Sequence, residues 1–170
     1  MRQHIRPFTA RHEPRGHAIS HLKSGFGAML GMALVGTLST LTGLPLLIAP
    51  LGATAVLLFG QPSSPLAQPM NIFGGYLIAA IVGVGAMALF PAAWWAAACA
   101  VGIAIALMLM LRVTHPPAGA LPLVATAIPF QGQELFVFVL IGCISLVSLA
   151  LVHHWLPPRV QYPTRIDREG

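Results

Sequence analysis

Charge is what this sequence has least of. Nine of its 170 residues are Lys or Arg and four are Asp or Glu, which is 8% in all. A soluble domain carries about 25% charged residues. No Asp, Glu, Lys or Arg occurs from Ser24 to Leu111. Together with 56% hydrophobic residues and a mean hydropathy of +0.81, this excludes a soluble globular domain and indicates an integral membrane protein.

Acidic side chains and cysteines are also scarce, and this restricts the chemistry. The four acidic residues lie outside the apolar runs or at their edge: Glu13, Glu134, Asp167 and Glu169. There is no Ser–His–Asp set, no HExxH motif and no phosphate-binding loop. The two cysteines lie within apolar runs without metal-ligand spacing, which is typical of packing residues. We therefore predict no enzyme activity, no metal and no cofactor; an intramembrane enzyme using His115 is the weakest alternative.

The apolar runs are long enough to cross a bilayer as helices, and they lack the alternation of a membrane barrel. We predict an all-α membrane protein with spans at about 25–44, 72–90, 93–111 and 135–156. Within the first span, Gly27 and Gly31 form a G-x-x-x-G pair that favours close helix packing. The domain order is a basic arm (1–23), a transmembrane domain (24–156) and a basic tail (157–170).

Basic residues cluster at the two ends and predict the topology. Five of them precede the first apolar run and three follow the last. By the positive-inside rule both termini face the cytoplasm, so a multi-pass protein of the cell inner membrane with an even number of crossings is predicted. Trp94, Trp95 and Trp155 would then share the cytoplasmic interface. Nucleic-acid binding by the arm is disfavoured, because no aromatic residues interleave with its charges.

Two short segments, 45–60 and 113–130, are apolar but broken by prolines. In the first, about nine residues after Pro50 rise only about 14 Å as a helix, roughly half the hydrocarbon core. This length favours two re-entrant half-helices in addition to the four spans. The polar loop 61–71, with three prolines, is placed at the outer face.

The two short segments resemble each other. Pro50-Leu51-Gly52-Ala53 matches Pro117-Ala118-Gly119-Ala120 at an offset of 67. Either the chain contains a two-fold internal repeat or the short identity is due to chance. If the short segments are re-entrant, each half has two crossings and the repeats are parallel. If they cross fully, each half has three crossings and the repeats are inverted; we favour four crossings in all.

Both breaks offer a helix N-terminus, whose free N–H groups and partial positive charge attract anions. Arg112 and His115 lie beside the second break. An intramembrane Arg costs roughly 2.5–3.5 kcal/mol on insertion scales, which a bound anion would offset. His115 would donate a hydrogen bond or carry a proton. The candidate substrate-binding residues are Gly52, Ala53, Thr54, Asn71, Arg112, Thr114, His115, Gly119 and Ala120.

Each candidate also has a structural interpretation. Arg112 would end the third span and reach the headgroups, and His115 would cap a local carbonyl group. The pair Pro116-Pro117 would form a turn. The polar groups of Thr54, Thr114 and Asn71 would be satisfied inside the protein.

The segment Thr114-His115-Pro116-Pro117-Ala118-Gly119-Ala120 resembles the HPP family, named for its His-Pro-Pro motif. Two further segments are similar to that family: Pro50-Leu51-Gly52-Ala53, and Ser64 to Gln68 with Pro69, Asn71, Gly74 and Gly75. The resemblance covers about residues 22–157. It implies four spanning helices. It also implies a link to nitrite transport, as in plant and cyanobacterial members, whereas many bacterial members have no established substrate.

Two positions depart from the pattern that the resemblance implies. Met70 stands where the family often has a basic residue, and Tyr76 where it often has His. Our first hypothesis is a transporter or channel for a small anion, nitrite being the leading candidate, in contact with the lipid bilayer. The second is a membrane scaffold or sensor whose basic arm contacts a partner. Gly- and Ala-rich faces predict a homo-oligomer.

Overall fold

The computed structural model describes residues 10, 16–91, 93–127 and 132–165. All regular structure in these ranges is helical, which confirms the all-α prediction. The α-helices are α1 (Ala18–Thr42), α2 (Ala49–Ala55), α3 (Pro69–Leu89), α4 (Trp94–Met110), α5 (Leu121–Ala127) and α6 (Gly132–Trp155). A π-helical turn, Val56–Gly60, continues α2, and 3-10 turns occupy Pro65–Ala67 and Pro116–Ala120.

Among the described residues, three helices have the length and hydropathy of membrane spans: α1, α3 and α6. The remaining predicted span, 93–111, corresponds to α4, which has 17 residues and rises about 26 Å. The ends of the four long helices lie within about three residues of the predicted runs, with one exception. That exception is the start of α1, which begins about seven residues earlier than predicted.

Lys23 explains the early start of α1. Its Nζ atom donates to the carbonyl oxygens of Leu156 (2.6 Å) and Pro158 (2.8 Å), just beyond the end of α6. The charged head can therefore sit at the edge of the bundle while its stem continues the helix. These bonds place the start of α1 and the end of α6 together, at what we call the termini end of the bundle.

The loop 61–68 also lies at the termini end. The Tyr162 hydroxyl donates to the Ala67 carbonyl oxygen at 3.0 Å, and the Thr164 backbone N–H donates to Gln68 Oε1 at 2.9 Å. The prediction that this loop lies at the face opposite the termini is wrong. The loop lies at the termini end because the segment before it, residues 43–60, leads the chain back to that end.

That segment, 43–60, returns along α1 to the termini end. Gly43, in the left-handed conformation (φ 72°), ends α1. A Cβ on Gly36 of α1 would lie 3.5 Å from Leu47, and one on Gly27 would lie 2.7 Å from Phe59. The short segment therefore does not turn back to the face it came from. Its helical residues rise about 18 Å and the irregular residues before them span at most about 20 Å, which together match the roughly 37 Å of α1.

The second short segment runs along α3 in the same way. A Cβ on Gly75, near the start of α3, would lie 2.8 Å from His115 Cβ. One on Gly83 would lie 3.2 Å from Pro122 Cα, and one on Gly132, where α6 begins, would lie 2.8 Å from Val84. The chain thus moves away from the termini end between His115 and α6, which is not a re-entrant path. Residues 128–130 of this predicted segment lie outside the described residues.

The tryptophans consequently occupy both ends of the bundle. Trp155 ends α6 at the termini end. Trp94 and Trp95 begin α4 at the far end, where the Trp95 ring packs on Phe90 at 4.8 Å between centroids. The prediction of a single shared interface is wrong, although indole rings are favoured at either face of a bilayer.

Candidate functional site

His115 is the centre of a buried polar cluster between the two short segments. It follows α4 in an extended conformation that suits the residue before a proline, and its side chain is 0% exposed. Its Nδ1 atom lies 2.8 Å from the Leu66 carbonyl oxygen of the loop 61–68. Its Nε2 atom lies 2.8 Å from Thr54 Oγ1 on α2. One imidazole therefore ties α2 and the loop to the break after α4.

The hydrogen-bond directions follow from the chemistry of the partners. The Leu66 carbonyl can only accept, so His115 Nδ1 carries the proton and Nε2 of the neutral ring is an acceptor. The Thr54 hydroxyl has one proton and two acceptors within reach, His115 Nε2 at 2.8 Å and the Pro50 carbonyl oxygen of its own helix at 3.1 Å, and we assign it to the shorter contact. The Tyr76 hydroxyl, 2.9 Å from Thr54 Oγ1, is then the donor to Thr54. The chain Tyr76, Thr54, His115, Leu66 runs head to tail, with every member satisfied, in a site where both Thr54 and Tyr76 are buried.

Gly75 makes room for this cluster. A Cβ at this position would lie 2.8 Å from His115 Cβ, 3.2 Å from Met108 Sδ and 3.2 Å from the Val113 carbonyl oxygen. Only glycine lets the backbone preceding His115 pack so closely against α3. Gly75 therefore lets the imidazole take its place against α3.

Asn71 and Thr114 support the same break and are half-buried. The Asn71 side-chain amide donates to the Thr114 carbonyl oxygen at 3.0 Å, and the Thr114 hydroxyl donates to the Met108 carbonyl oxygen at 3.4 Å. Their polar groups are thus used inside the protein. They hold the turn after α4 against the start of α3, which is the structural interpretation given above.

Arg112 follows the end of α4, three residues before His115. It is exposed, and its backbone adopts a left-handed conformation (φ 58°) as α4 ends. Its backbone N–H donates to the Leu109 carbonyl oxygen at 3.2 Å. This position fits a residue that ends a helix and extends its charge outward.

The four small residues predicted to bind an anion at the two helix N-termini, Gly52, Ala53, Gly119 and Ala120, differ in their surroundings. Gly52 is half-buried, a Cβ added to it would meet no atom within 4 Å, and Ala53 is exposed. Gly119 is buried, and a Cβ added to it would lie 3.6 Å from Ile105 of α4; Ala120 is half-buried. The structure thus brings together Thr54, Asn71, Thr114 and His115, and leaves the two helix N-termini facing different surroundings.

An apolar cleft of about 280 Å³ lies between α3 and α6. Its lining is aromatic and aliphatic: Phe73, Tyr76, Leu77, Ala80, Phe136, Val139, Leu140 and Cys143. Tyr76 thus belongs to both the cleft and the polar cluster. Our sequence reasoning treated it only as a departure from a family pattern, and missed that its hydroxyl completes the chain to His115.

A second cleft of about 280 Å³ lies at the termini end and is basic. Lys23, His153, His154 and Arg159 are among its lining residues. Sequence reasoning missed this site as well. The signal was a pair of histidines at the end of the last apolar run together with a lone Lys at the start of the first. With an even number of crossings, the start of the first span and the end of the last span lie at the same face of the membrane.

The comparisons with known proteins agree with the membrane architecture. The family model described as HPP, transmembrane region, matches residues 13–163. A transmembrane protein of Dictyostelium discoideum is 31% identical over 149 residues, which cover 82% of this chain and 52% of that protein. Another from the same organism is 30% identical over 125 residues, covering 69% and 40%.

The chain therefore spans about half or less of the length of these two relatives. No solved structure matches the chain. The family match covers most of the sequence, including both short segments, the loop 61–68 and the polar cluster around His115. The chain belongs to the HPP family of transmembrane proteins.

Proposed function

We propose that this protein is a membrane transporter for a small anion, built from two inverted halves of three crossings each. The observation that carries the proposal is the buried contact between Thr54 of the first short segment and His115 of the second. Interrupted segments that occupy corresponding places in two halves, and meet inside the bundle, are typical of transporter binding regions. Four crossings, our preferred number from the sequence, are replaced by six in this proposal.

The helix packing supports an inverted repeat. The helical parts of the short segments, 49–60 and 116–127, differ by 67 positions at both ends, which is the offset of the sequence match. Exchanging α1, α2 and α3 with α4, α5 and α6 preserves the main contacts. For example, α1 packs on α6 as α4 packs on α3, and α3 packs on α6, its own counterpart.

The contact between Thr54 and His115 joins the two halves. Both hydrogen-bond partners of the imidazole, Thr54 and Leu66, belong to the first half, and so does Asn71, which holds the neighbouring Thr114. Movement of one half against the other would have to break these bonds. We therefore assign the cluster the role of a contact that opens when a substrate passes.

The distribution of charge favours an anion. The formal net charge is +5, and the termini end, which the positive-inside rule places in the cytoplasm, has the basic cleft. Nitrite is the first anion to test, because the family resemblance suggests it. The predicted homo-oligomer stays a prediction; Ala98 and Gly102 of α4 are exposed small residues on a face suited to helix packing.

The test uses the full chain in liposomes, with entry of nitrite, nitrate, formate and chloride measured separately. We expect faster entry of at least one anion than in protein-free liposomes. Thr54→Val, which removes the buried hydroxyl, should change that rate. Thr37→Val is the matched control, because the exposed Thr37 hydroxyl bonds only its own helix, at the Ala33 carbonyl oxygen. Folded, inserted protein that speeds none of the four anions would refute the proposal.

A further inference from the structure

We propose that the basic cleft at the termini end is a binding site for a small oxyanion. The site is separate from the contact between Thr54 and His115 and does not depend on transport. It is formed by the first turns of α1, the end of α6, the π-helical turn after α2 with the start of the loop 61–68, and the chain that follows α6. These four parts of the sequence come together only in the folded bundle.

The lining carries positive charge without a negative counterpart. Lys23 and Arg159 contribute cations, and none of the described residues that line the cleft is acidic. The Arg159 guanidinium carbon lies 5.5 Å from the Trp155 ring centroid, so the indole orients it at the cleft edge. The described lining therefore attracts an anion and offers nothing to hold a cation.

Lys23 has one donor left for a ligand. Its ammonium group donates to the carbonyl oxygens of Leu156 and Pro158, which use two of its three protons. Carbonyl groups fix the position of the ammonium group but leave its full charge in place. An anion bound in the cleft would supply the opposite charge.

His154 provides the second, independent observation. Its side chain is 3% exposed, and its Nε2 atom lies 2.7 Å from the Leu58 carbonyl oxygen. Since that carbonyl can only accept, Nε2 carries the proton. The Nδ1 atom is buried and has no hydrogen-bond partner among the described residues. Buried polar atoms are nearly always paired, so this nitrogen indicates a missing ligand group.

Gly27 of α1 leaves room for the His153 ring, which in turn packs on His154. A Cβ on Gly27 would lie 2.5 Å from His153 Cε1 and 2.7 Å from Phe59 Cδ1, so only glycine allows the His153 ring to pack there. The His153 ring meets the rings of Phe59 and His154 edge-on, at 5.1 Å and 5.0 Å between centroids. The imidazoles are thus held in fixed orientations beside Lys23.

The size and chemistry of the cleft define the ligand class. At about 280 Å³ it lies near the lower limit of ligand pockets. An ammonium group, a guanidinium group and an imidazole nitrogen suit the several acceptor oxygens of a small oxyanion. The unprotonated Nδ1 atom of His154 suits an oxyanion that carries a proton. It either accepts a hydrogen bond from the O–H group of the anion, or takes up that proton and donates a hydrogen bond to the anion.

The test is nuclear magnetic resonance of the ¹⁵N-histidine-labelled full chain in a zwitterionic detergent. Nitrite and inorganic phosphate are added in separate titrations, and the ring nitrogens of His154 are observed. We expect saturable shifts with inorganic phosphate, which carries a proton at neutral pH, whereas nitrite carries none and tests attraction by the cations alone. Shifts absent for both anions, or without saturation, would overturn the proposal and leave water as the partner of Nδ1.

Three variants locate the site. Lys23→Gln and Arg159→Gln each remove one cation, and we expect affinity to fall about tenfold for Lys23→Gln and less for the exposed Arg159. Arg165→Gln is the matched control, because it removes an exposed cation that does not line the cleft. Equal affinity in all three variants would contradict the assignment, and Arg159→Gln keeps the test valid if Lys23→Gln does not fold.

A separate arm distinguishes a free oxyanion from a lipid phosphate. The same spectra are recorded after addition of a phosphatidic acid, which presents a phosphate group at the membrane surface. If only the lipid shifts the His154 signals and neither inorganic anion does, the cleft is a lipid headgroup site and the free-oxyanion proposal fails. Because the readout is binding, its failure is distinguishable from an absence of anion transport.

Discussion

The Nε2 atom of His115 lies 2.8 Å from Thr54 Oγ1, sixty-one positions away in the chain. The two residues belong to the two proline-broken segments, and both side chains are 0% exposed. Tyr76 and Leu66 extend the contact into a chain of four groups that spans α3, α2, the break after α4 and the loop 61–68. Two of the four buried polar side chains among the described residues, Thr54 and His115, therefore lie where the irregular parts of the bundle meet.

Replacing Thr54 by Val is expected to destabilise the protein by about 1 kcal/mol or more, because Val keeps the shape but leaves His115 Nε2 without its donor. Unfolding in detergent, followed by circular dichroism, measures the change. Thr37→Val should stay close to the wild type, since its hydroxyl is exposed and bonds only its own helix. Equal losses in the two variants would show that the buried chain does not stabilise the fold.

Gly75→Ala tests the fit of His115 against α3. The added methyl group would meet His115 Cβ at 2.8 Å and the Val113 carbonyl oxygen at 3.2 Å, so the backbone must move. We expect a loss of about 1–3 kcal/mol, as in other overpacked interiors, in the same unfolding measurement. Gly85→Ala on the same helix is the control, since nothing lies within 4 Å of its added Cβ. Equal stability of Gly75→Ala and Gly85→Ala would show that the surroundings of Gly75 tolerate a methyl group, contrary to the described contact with His115.

Gly27→Ala tests the packing beside the basic cleft. Its Cβ would lie 2.5 Å from the His153 ring and 2.7 Å from Phe59, so both rings must shift. The ring signals of His153 should move strongly in nuclear magnetic resonance spectra. Gly25→Ala, two positions earlier with open space around it, should leave them in place. An unchanged His153 signal in Gly27→Ala would contradict the described contact of α1 with α6.

Tyr162→Phe tests whether the chain after α6 is fastened to the loop 61–68. The Tyr162 hydroxyl donates to the Ala67 carbonyl oxygen at 3.0 Å, and burial raises the pKa of this phenol. The group therefore stays protonated, and able to donate, well above neutral pH. We expect faster proteolytic cleavage after residue 156 in Tyr162→Phe than in the wild type. Cleavage at the same rate would show that this bond does not hold the segment.

The long helices could be predicted from the sequence, but the course of the broken segments could not. Hydropathy identifies α3 and α6 because their apolar runs are continuous and bounded by Pro69, Gly132 and the polar ends. A proline break shows where a helix stops and gives no direction for the next one. The return of the chain along α1 depends on Leu47 packing near Gly36 and Phe59 packing near Gly27, which are long-range contacts.

Part of the candidate site could be predicted from the sequence. The His-Pro-Pro motif indicated His115, and Thr54 and Asn71 were named beside it, because polar residues within apolar runs are conspicuous. No spacing in the sequence predicts the contact of Thr54 with Tyr76 or that of His115 with Leu66. The expectation for Gly52 and Gly119 rested on helix N-termini alone, and tertiary packing left open space beside the first and placed the second against Ile105.

The crossing of the broken segments is tested most directly by the side of the membrane on which the loop 61–68 lies. Single cysteines at the exposed positions Ser63, Pro91 and Gln161, in a chain with Cys99 and Cys143 replaced by Ala, are labelled in oriented vesicles with a membrane-impermeant thiol reagent. We predict that Ser63→Cys reacts from the same side as Gln161→Cys, and Pro91→Cys from the other. Reaction of Ser63→Cys from the side of Pro91→Cys would contradict the account.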